Sequence, residues 1–267
     1  MILSVVITHY KTPELLALCI DSIENTAENI SHEIIVVDSE TSKDNEKFIL
    51  GKYPRVKLIG FEKNVGYAKL VNAGIKKAAG KFILILNADI IVLPGAIKEM
   101  LGYMEKNPQT GIIGPQLLDF TNNIQASCFA DPDWGAILAR RSFLGKLNWG
   151  KKKLKKFAIG DWDRKSMREV DWVQGSAMLV RKELIDKIGL MDERFFMYFE
   201  DTDWCRRFRQ AGYKVIYLPS ARMSHYYHRA SKKLGFILDI LFNKYTRIHI
   251  SSSLKYFSKW KKNENKQ

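Results

Sequence analysis

The sequence predicts an α/β fold: a mostly parallel central sheet flanked by helices, closed by a helical C-terminal extension. Three observations predict it. Short β-branched runs recur through the first half of the chain, helical patterns separate them, and polar or acidic residues stand at the carboxyl end of each run. Alternating strand and helix implies a sheet covered on both faces, with its ligand outside the carboxyl ends of the strands.

The strands are read at Leu3–Thr8, Glu33–Asp38, Val56–Phe61 and Phe82–Asn87. A helix opens on Pro13, whose missing N–H is harmless in a first turn, and carries Leu15, Leu16, Leu18, Cys19, Ile20 and Ile23. A second spans about Gly66–Ala79, and a third follows Pro94 with Ile97, Met100, Leu101 and Met104 on one side. From Phe120 to Arg168 the pattern turns irregular and reads as long loops around a short helix near Ile137–Phe143, a candidate lid. Regular signals return with a strand-like WVQGSAMLVRK, helices near Lys182–Ile188 and Asp201–Ala211, and strands near Val215–Leu218 and Arg222–Tyr226. The stretch from Ser231 is helical by pattern and ends basic. One continuous unit, residues 1–230, is favoured, with a nucleotide-binding half at 1–118, an acceptor-binding half at 119–230 and an extension at 231–267.

The chain has 267 residues, with 43 Lys and Arg against 29 Asp and Glu, a net charge of +14. So basic a protein suits an anionic partner: nucleic acid, an anionic membrane face or a phosphorylated substrate. Cys19, Cys128 and Cys205 have neither metal-site nor disulfide spacing, so reduced thiols in a cytoplasmic setting are expected. No apolar run is long enough to span a bilayer, and the first residues read as a strand rather than a signal peptide. No GxGxxG follows a strand. No GxxxxGK[ST] occurs either, since Gly74 and Gly80-Lys81 are one residue too far apart and Phe82 stands where a hydroxyl is needed. Dinucleotide-dependent dehydrogenases and P-loop enzymes are thereby demoted. No nucleic-acid-binding pattern places aromatics and lysines on one face.

The strand ends deliver Thr8-His9-Tyr10, Asp38-Ser39, Glu62-Lys63-Asn64 and Asn87-Ala88-Asp89. Carboxylates there suit a hard divalent cation, Mg2+ or Mn2+, with a diphosphate completing its shell, although Asp and Asn also end strands simply because they favour turns. In ILILNADIIVLPGAI the polar Asn87 and Asp89 interrupt what should be core, so Asp89 needs a cation or donors beside it. In FFMYFEDTDWCRRF, Glu200, Asp201 and Asp203 crowd a helix start among aromatics. Capping accounts for one or two of them, and desolvation would raise a carboxyl toward the range of a general base. His225, at a late strand end, is a structural residue or a metal ligand, with His228 three residues on.

The segments VVITHYK, VVDSETSKDN, EKNVGYAKLVNAG, LILNADI, WVQGSAMLVRK and MDERFFMYFEDTDWCRRFRQAGY occur in that order between Leu3 and Ser231. This resembles the family-2 inverting glycosyltransferases of GT-A, Rossmann-like fold, in particular a bacterial rhamnosyltransferase-like branch. The resemblance implies that Thr8, Tyr10 and Asp38 line a nucleoside pocket, with Asn64 and Gly66 close to the nucleotide. It places Asn87-Ala88-Asp89 at the DxD-type motif, with Asp89 on the metal and His225 as a further ligand. Ser39 replaces an Asn common after Asp38, and Asn87 replaces the first Asp of the motif. Trp172, Gly175 and Ser176 would border the acceptor, and Asp201 would be the general base with Glu200 beside it.

The function so implied is transfer of a sugar, rhamnose from a dTDP donor or another sugar from UDP, to a saccharide or lipid-linked acceptor in cell-surface polysaccharide and cell-wall synthesis. The run Lys151–Lys156 and the basic tail (Lys255, Lys259, Lys261, Lys262) then suit peripheral attachment to the inner face of the membrane. The apolar stretch Leu234–Phe242 is a candidate oligomer interface or membrane-facing helix. The competing readings are a sugar nucleotidyltransferase, an inactive relative, or a basic nucleic-acid-binding protein.

Overall fold

A computed structural model describes residues 1–226 and 243–264. The first half alternates as read: β1 (Leu3–His9), α1 (Pro13–Thr26), β2 (His32–Ser39), α2 (Lys43–Lys52), β3 (Lys57–Phe61), α3 (Tyr67–Lys77), β4 (Phe82–Asn87), β5 (Ile90–Val92), α4 (Ala96–Lys106) and β6 (Thr110–Leu118). The second half adds β7 (Cys128–Phe129), α5 (Trp134–Arg141), a 3-10 turn (Phe143–Lys146), α6 (Asn148–Phe157), β8 (Arg168–Glu169), β9 (Trp172–Val173), β10 (Ala177–Arg181), α7 (Lys182–Ile188), α8 (Glu200–Gln210), β11 (Lys214–His225) and α9 (Lys244–Glu264).

The main sheet runs β3-β2-β1-β4-β10-β6-β11-β5, with β8 beside β11 and a separate β7-β9 pair. Parallel pairing is confined to β3-β2-β1-β4 and to β6-β11; β10 is antiparallel to both β4 and β6, and β5 to β11. The sheet is therefore mixed, with its longest parallel run, β3-β2-β1-β4, where the βα alternation of the sequence was strongest. Neighbouring residues of one strand serve opposite faces. Leu3, Val5 and Ile7 of β1 pack with α1 and α4, whereas Val6 packs with α3 and α8. Gly74 lets α3 lie against β1, since a Cβ there would stand 2.3 Å from the Val6 side chain.

Several elements correct the sequence reading. The lysine run Lys151–Lys156 lies on helix α6, not in a loop, and α5 precedes it with Asp133 as its cap, accepting from the Ala136 N–H at 2.7 Å. Lys153 Nζ pairs with the same Asp133 at 2.7 Å. The pattern failed there because α6 buries only Gly150 and Phe157, too few for a periodic stripe. Helix α2 escaped for the same reason, with Ile49 its one buried residue. Strand β6 was hidden by Gly111, Gly114 and Pro115, which read as breakers. Gly114 is needed for packing, because a Cβ would stand 2.7 Å from Val173. The two late strands are one, β11, kinked by a register shift between Leu218 and Arg222.

The helical extension folds back on the molecule. From α9, Tyr256 and Trp260 enter an apolar cluster with Phe195, Phe199 and Ile137. Trp260 Nε1–H donates to Asp203 Oδ1 at 3.1 Å, Lys259 Nζ stands 2.7 Å from the same oxygen, and Arg207 Nε binds Asp203 Oδ2 at 3.0 Å. The apolar stretch Leu234–Phe242 and His228 lie outside the described residues. All three cysteines are free and buried. Among the described residues no helix is long and apolar enough to cross a membrane.

We expect Trp260→Ala to lower stability by about 3–5 kcal/mol, the usual cost of deleting a buried Trp, read as a fall in the urea midpoint. A loss below about 1 kcal/mol would show that α9 is not part of the folded core.

Candidate active site

Strand β1 pairs in parallel with β2 on one side and β4 on the other, so the strand order reverses at its carboxyl end. That reversal opens the crevice in which doubly wound sheets take ligands. Its edges are Thr8-His9-Tyr10 and Asn87-Ala88-Asp89. They are tied together: Thr8 Oγ1–H donates to Asn87 Oδ1 at 3.1 Å, and the Ala88 N–H to the Thr8 carbonyl at 3.0 Å. The Asn87 N–H donates to the Ser176 carbonyl at 2.9 Å, which fixes the loop before β10 against the same corner.

Asp38, at the end of β2, is fully buried. His9 Nδ1 lies 2.7 Å from its Oδ1, and Asn45 Nδ2–H donates to its Oδ2 at 2.9 Å. The Thr12 N–H donates to His9 Nε2 at 3.0 Å, which assigns the ring proton to Nδ1 and the donor role to His9. The opposing effects of burial, which raises it, and the His9 bond, which lowers it, leave the Asp38 carboxyl below its ordinary value. Asp38 thus sits behind the crevice, holding His9, and the residue at the rim is the half-exposed Tyr10.

Across the crevice, α8 begins with Glu200 and Asp201. The two residues before it, Tyr198 and Phe199, both have φ of 71°. Consecutive left-handed aromatics are strained, and such strain persists only where the surroundings fix it. Here the rings of Tyr198 and Phe199 pack on His249, and that of Phe199 on Tyr256, all from α9. The turn aims both acids inward. Asp201 Oδ2 accepts the Gly175 N–H at 2.9 Å, and Oδ1 accepts the Thr202 N–H at 2.7 Å. Burial pushes the Asp201 carboxyl up, and those N–H groups hold part of the rise back. Glu200 has no such help: burial and then the charge of Asp201 push it well above the ordinary range. Of the pair, Glu200 keeps its proton longer.

Tyr67 joins the two sides. Its hydroxyl donates to the Gly175 carbonyl, its N–H donates to the Phe196 carbonyl at 2.7 Å, and burial followed by the charges of Glu200, Asp201 and Asp89 raises it well above its ordinary value. The structure therefore brings Asp89, Glu200, Asp201, Gly175 and Ser176 around one tyrosine. Asn64 and Gly66 lie beside it: Asn64 Oδ1 accepts the Gly66 N–H at 3.0 Å, and Gly66 has φ of 86°. What approaches Gly66 is protein, since a Cβ would stand 2.4 Å from the Phe196 carbonyl oxygen. Trp172 is not brought there. Its ring is buried against Phe129 and Phe157, and its N–H donates to Ala130.

Asp89 and His225 do meet. His225 Nε2 lies 3.7 Å from Asp89 Oδ2, while Nδ1 is 3.0 Å from Gln125 Oε1. Gln125 also donates to the His225 carbonyl at 3.1 Å, so it holds both the ring and the backbone of that residue. Burial pushes Asp89 up to about 6 and His225 down to about 4, which leaves His225 a neutral imidazole. Asp89 Oδ1 is buried with no protein partner. A carboxylate oxygen without a donor next to a neutral imidazole fits a divalent cation. Among the described residues no third His, Cys, Asp or Glu joins them, so a diphosphate or water must supply the rest of the shell. Ser39 Oγ, Ser176 Oγ and Glu200 Oε2 are likewise buried without partners. Four orphaned polar atoms, three beside strand ends and one at the start of α8, mark a place built for a polar ligand.

Reasoning from sequence missed Tyr67, Gln125 and Thr202. Tyr67 carried a signal, as the first helical residue after the Asn64–Gly66 turn. Gln125 carried none, being a loop residue one hundred positions from the histidine it holds.

Residues 4–127 match the family model Glycosyl transferase family 2. The chain is 28% identical over 206 residues to the N-acetylglucosaminyl-diphospho-decaprenol L-rhamnosyltransferase of Mycobacterium tuberculosis, covering 72% of this chain and 66%, just under two thirds, of that relative. A 90-residue stretch, 34% of this chain and 31% of the relative, is 34% identical to rhamnosyltransferase WbbL of Escherichia coli. Among solved structures, GalNAc-T7 with UDP, GalNAc and Mn2+ superposes with a TM-score of 0.65 at 17% identity, over 85% of this chain and 43% of that one. The mannosyltransferase PcManGT of Pyrobaculum calidifontis, with GDP-Man and Mn2+, superposes with a TM-score of 0.57 at 16% identity, over 88% and 58%. These two likenesses show the GT-A fold, and residues 4–127 match family 2 of the glycosyltransferases within it.

Proposed function

We propose that the chain is an inverting glycosyltransferase that moves a sugar from a nucleoside diphosphate to a hydroxyl of a saccharide or lipid-linked acceptor in polysaccharide synthesis. The observation that carries this reading is the meeting of Asp89, Glu200 and Asp201 around Tyr67, in a crevice with orphaned polar atoms on both walls. By likeness to the mycobacterial relative, the sugar is rhamnose, and the donor we propose for it is dTDP-rhamnose.

Asp201 is the group that takes the acceptor proton. Its two oxygens are pinned by Gly175 and Thr202, which leaves lone pairs facing the crevice and holds the carboxylate in one orientation. The acceptor oxygen, so deprotonated, attacks the anomeric carbon from the side opposite the departing nucleoside diphosphate, which inverts the configuration there. Glu200, which keeps its proton longer, can donate a hydrogen bond to a sugar hydroxyl without competing for the acceptor proton. Tyr10 and Ser39 face the nucleoside, and Asp38 acts on it by holding His9 in place. Asp89 and His225 would hold the Mg2+ or Mn2+, whose charge neutralises that of the leaving diphosphate.

The exposed face of the 3-10 turn and α6 supports the membrane reading. Phe143 is 73% exposed, and Leu147 and Trp149 are each 50% exposed, beside the exposed Lys151, Lys152 and Lys156. An apolar tip rimmed by lysines suits an anionic bilayer, at about 1 kcal/mol for each Lys near the surface.

We expect Asp201→Asn to bind dTDP as the parent does, read by thermal shift, and to lose about 10²–10⁴ in turnover. Near-parental turnover would remove Asp201 as the base. Asp89→Ala should abolish the EDTA-sensitive part of the shift given by UDP or dTDP. A nucleotidyltransferase would instead release pyrophosphate.

The Asp201 carboxyl is raised when folded, so turnover should be lost as pH falls through a point above that of an ordinary aspartate. The Thr202 hydroxyl, which donates to Asp201 Oδ1 at 3.3 Å, also lowers that point, and Thr202→Val, which removes this bond and keeps the N–H, should move the acid limb of kcat further up. An unmoved limb would assign it to another group. Anionic vesicles should sediment the chain at low salt, and Phe143→Ser with Trp149→Ser should weaken this at least tenfold.

A further inference from the structure

One face of α9 remains unexplained by the crevice or by packing. Thr246, His249, Ser252, Ser253, Tyr256 and Trp260 are buried against the body of the protein. Beside that stripe, Lys244, Arg247, Ser251 and Lys255 stand exposed at helical spacing. With Ile248 and the ring of Phe196 they line a groove of about 290 Å³.

The charge in this groove is uncompensated. Among the described residues no carboxylate pairs with Lys244, Arg247 or Lys255; Lys255 Nζ donates to the Arg194 carbonyl at 2.8 Å. Lys259, one turn further along α9, shows the contrast: it is neutralised by Asp192 at 2.9 Å and Asp203 at 2.7 Å. Three cations gathered without an acid repel one another, and an anion placed among them relieves that repulsion. Arg247 brings the planar fork that suits phosphate oxygens. Ile248 and Phe196 supply an apolar wall, which a purely ionic site would not need.

The groove is also one residue away from the crevice. The carbonyl of Phe196 accepts the Tyr67 N–H, and the hydroxyl of the same tyrosine binds the Gly175 carbonyl, whose own N–H holds Asp201. The wall of the groove and the base thus belong to one hydrogen-bonded chain.

We infer that this groove binds the diphosphate of an isoprenoid-diphosphate-linked acceptor, with Lys244, Arg247 and Lys255 on the phosphates and Ile248 and Phe196 on the first isoprene units, so that the sugar carried by the diphosphate lies toward Asp201. This rests on the transferase reading for the acceptor's identity, but the phosphate chemistry of the groove does not.

The test uses the whole chain and two exposed variants, Arg247→Ser and Lys244→Ser with Lys255→Ser. Farnesyl diphosphate, farnesol and inorganic pyrophosphate are titrated by calorimetry. Farnesyl diphosphate should bind, farnesol should not, and pyrophosphate should bind more weakly. Arg247→Ser should lose 10–100-fold in affinity for farnesyl diphosphate and raise KM for a polyprenyl-diphosphate-linked sugar acceptor by a similar factor. The dTDP-induced thermal shift should stay unchanged, which separates this effect from misfolding and from donor binding.

Equal farnesyl diphosphate affinity in parent and variants would overturn the proposal, whatever the outcome of transfer assays. So would a variant that loses only its binding to phosphatidylglycerol vesicles, since that assigns the groove to bilayer headgroups. If no sugar is transferred to any lipid-diphosphate acceptor while farnesyl diphosphate still binds through Arg247, the groove stands and the transferase reading falls.

Discussion

Asp203 is the constraint on which the site depends. It is fully buried one turn into α8, and a charge in that position must be matched on every side. Arg207 matches it from its own helix, and Lys259 and Trp260 from α9. Asp192, in the loop before α8, receives the other side of Lys259 and also binds Arg194, and its carboxyl is held far below the ordinary range. The C-terminal helix, the start of α8 and the intervening loop are therefore clamped around one carboxylate. That clamp allows Tyr198 and Phe199 to stay left-handed, and their turn aims Glu200 and Asp201 into the crevice. A chain ending before α9 would keep the acids and lose what directs them.

The molecule also segregates its charge. The crevice holds three acids with raised carboxyls, while the lysine-rich faces of α6 and α9 account for part of the +14. An anionic donor entering a crevice lined by acids needs cations there, which is the physical case for a divalent ion at Asp89 and His225. The basic faces lie outside the crevice, where a large anionic acceptor or a bilayer could meet them. Net charge alone could not separate these uses; their placement on two different helices does.

Much of this was legible in the residues. Strands β1 to β4 announce themselves by unbroken apolar runs, and Asn87-Ala88-Asp89 by a polar break in one of them. The acids of α8 stood out because three of them fall among aromatics. Legibility failed wherever periodicity was weak or a feature was long-range. Helix α6 shows too little burial to leave a stripe, and β6 contains the very residues that usually end strands. The antiparallel pairing of β10 left no mark in the sequence, because a fully buried strand reads the same in either direction. The contacts of Asp38 with His9 and of Gln125 with His225 join residues 29 and 100 positions apart, which no local pattern encodes.

The position of β10 has a consequence for how the chain must be made. It lies between β4 and β6, strands that end 90 and 59 residues before it begins. While the polypeptide is emerging, β4 has its partner β1 on one side and a bare edge on the other, apolar on both faces. That edge is covered only when Ala177–Arg181 arrives. Until then the nascent half is an open template for unwanted strand pairing, the hazard that makes sheets of high contact order slow and aggregation-prone. The two halves thus share a single sheet and cannot mature in succession: the first waits, unfinished, for the second to close it.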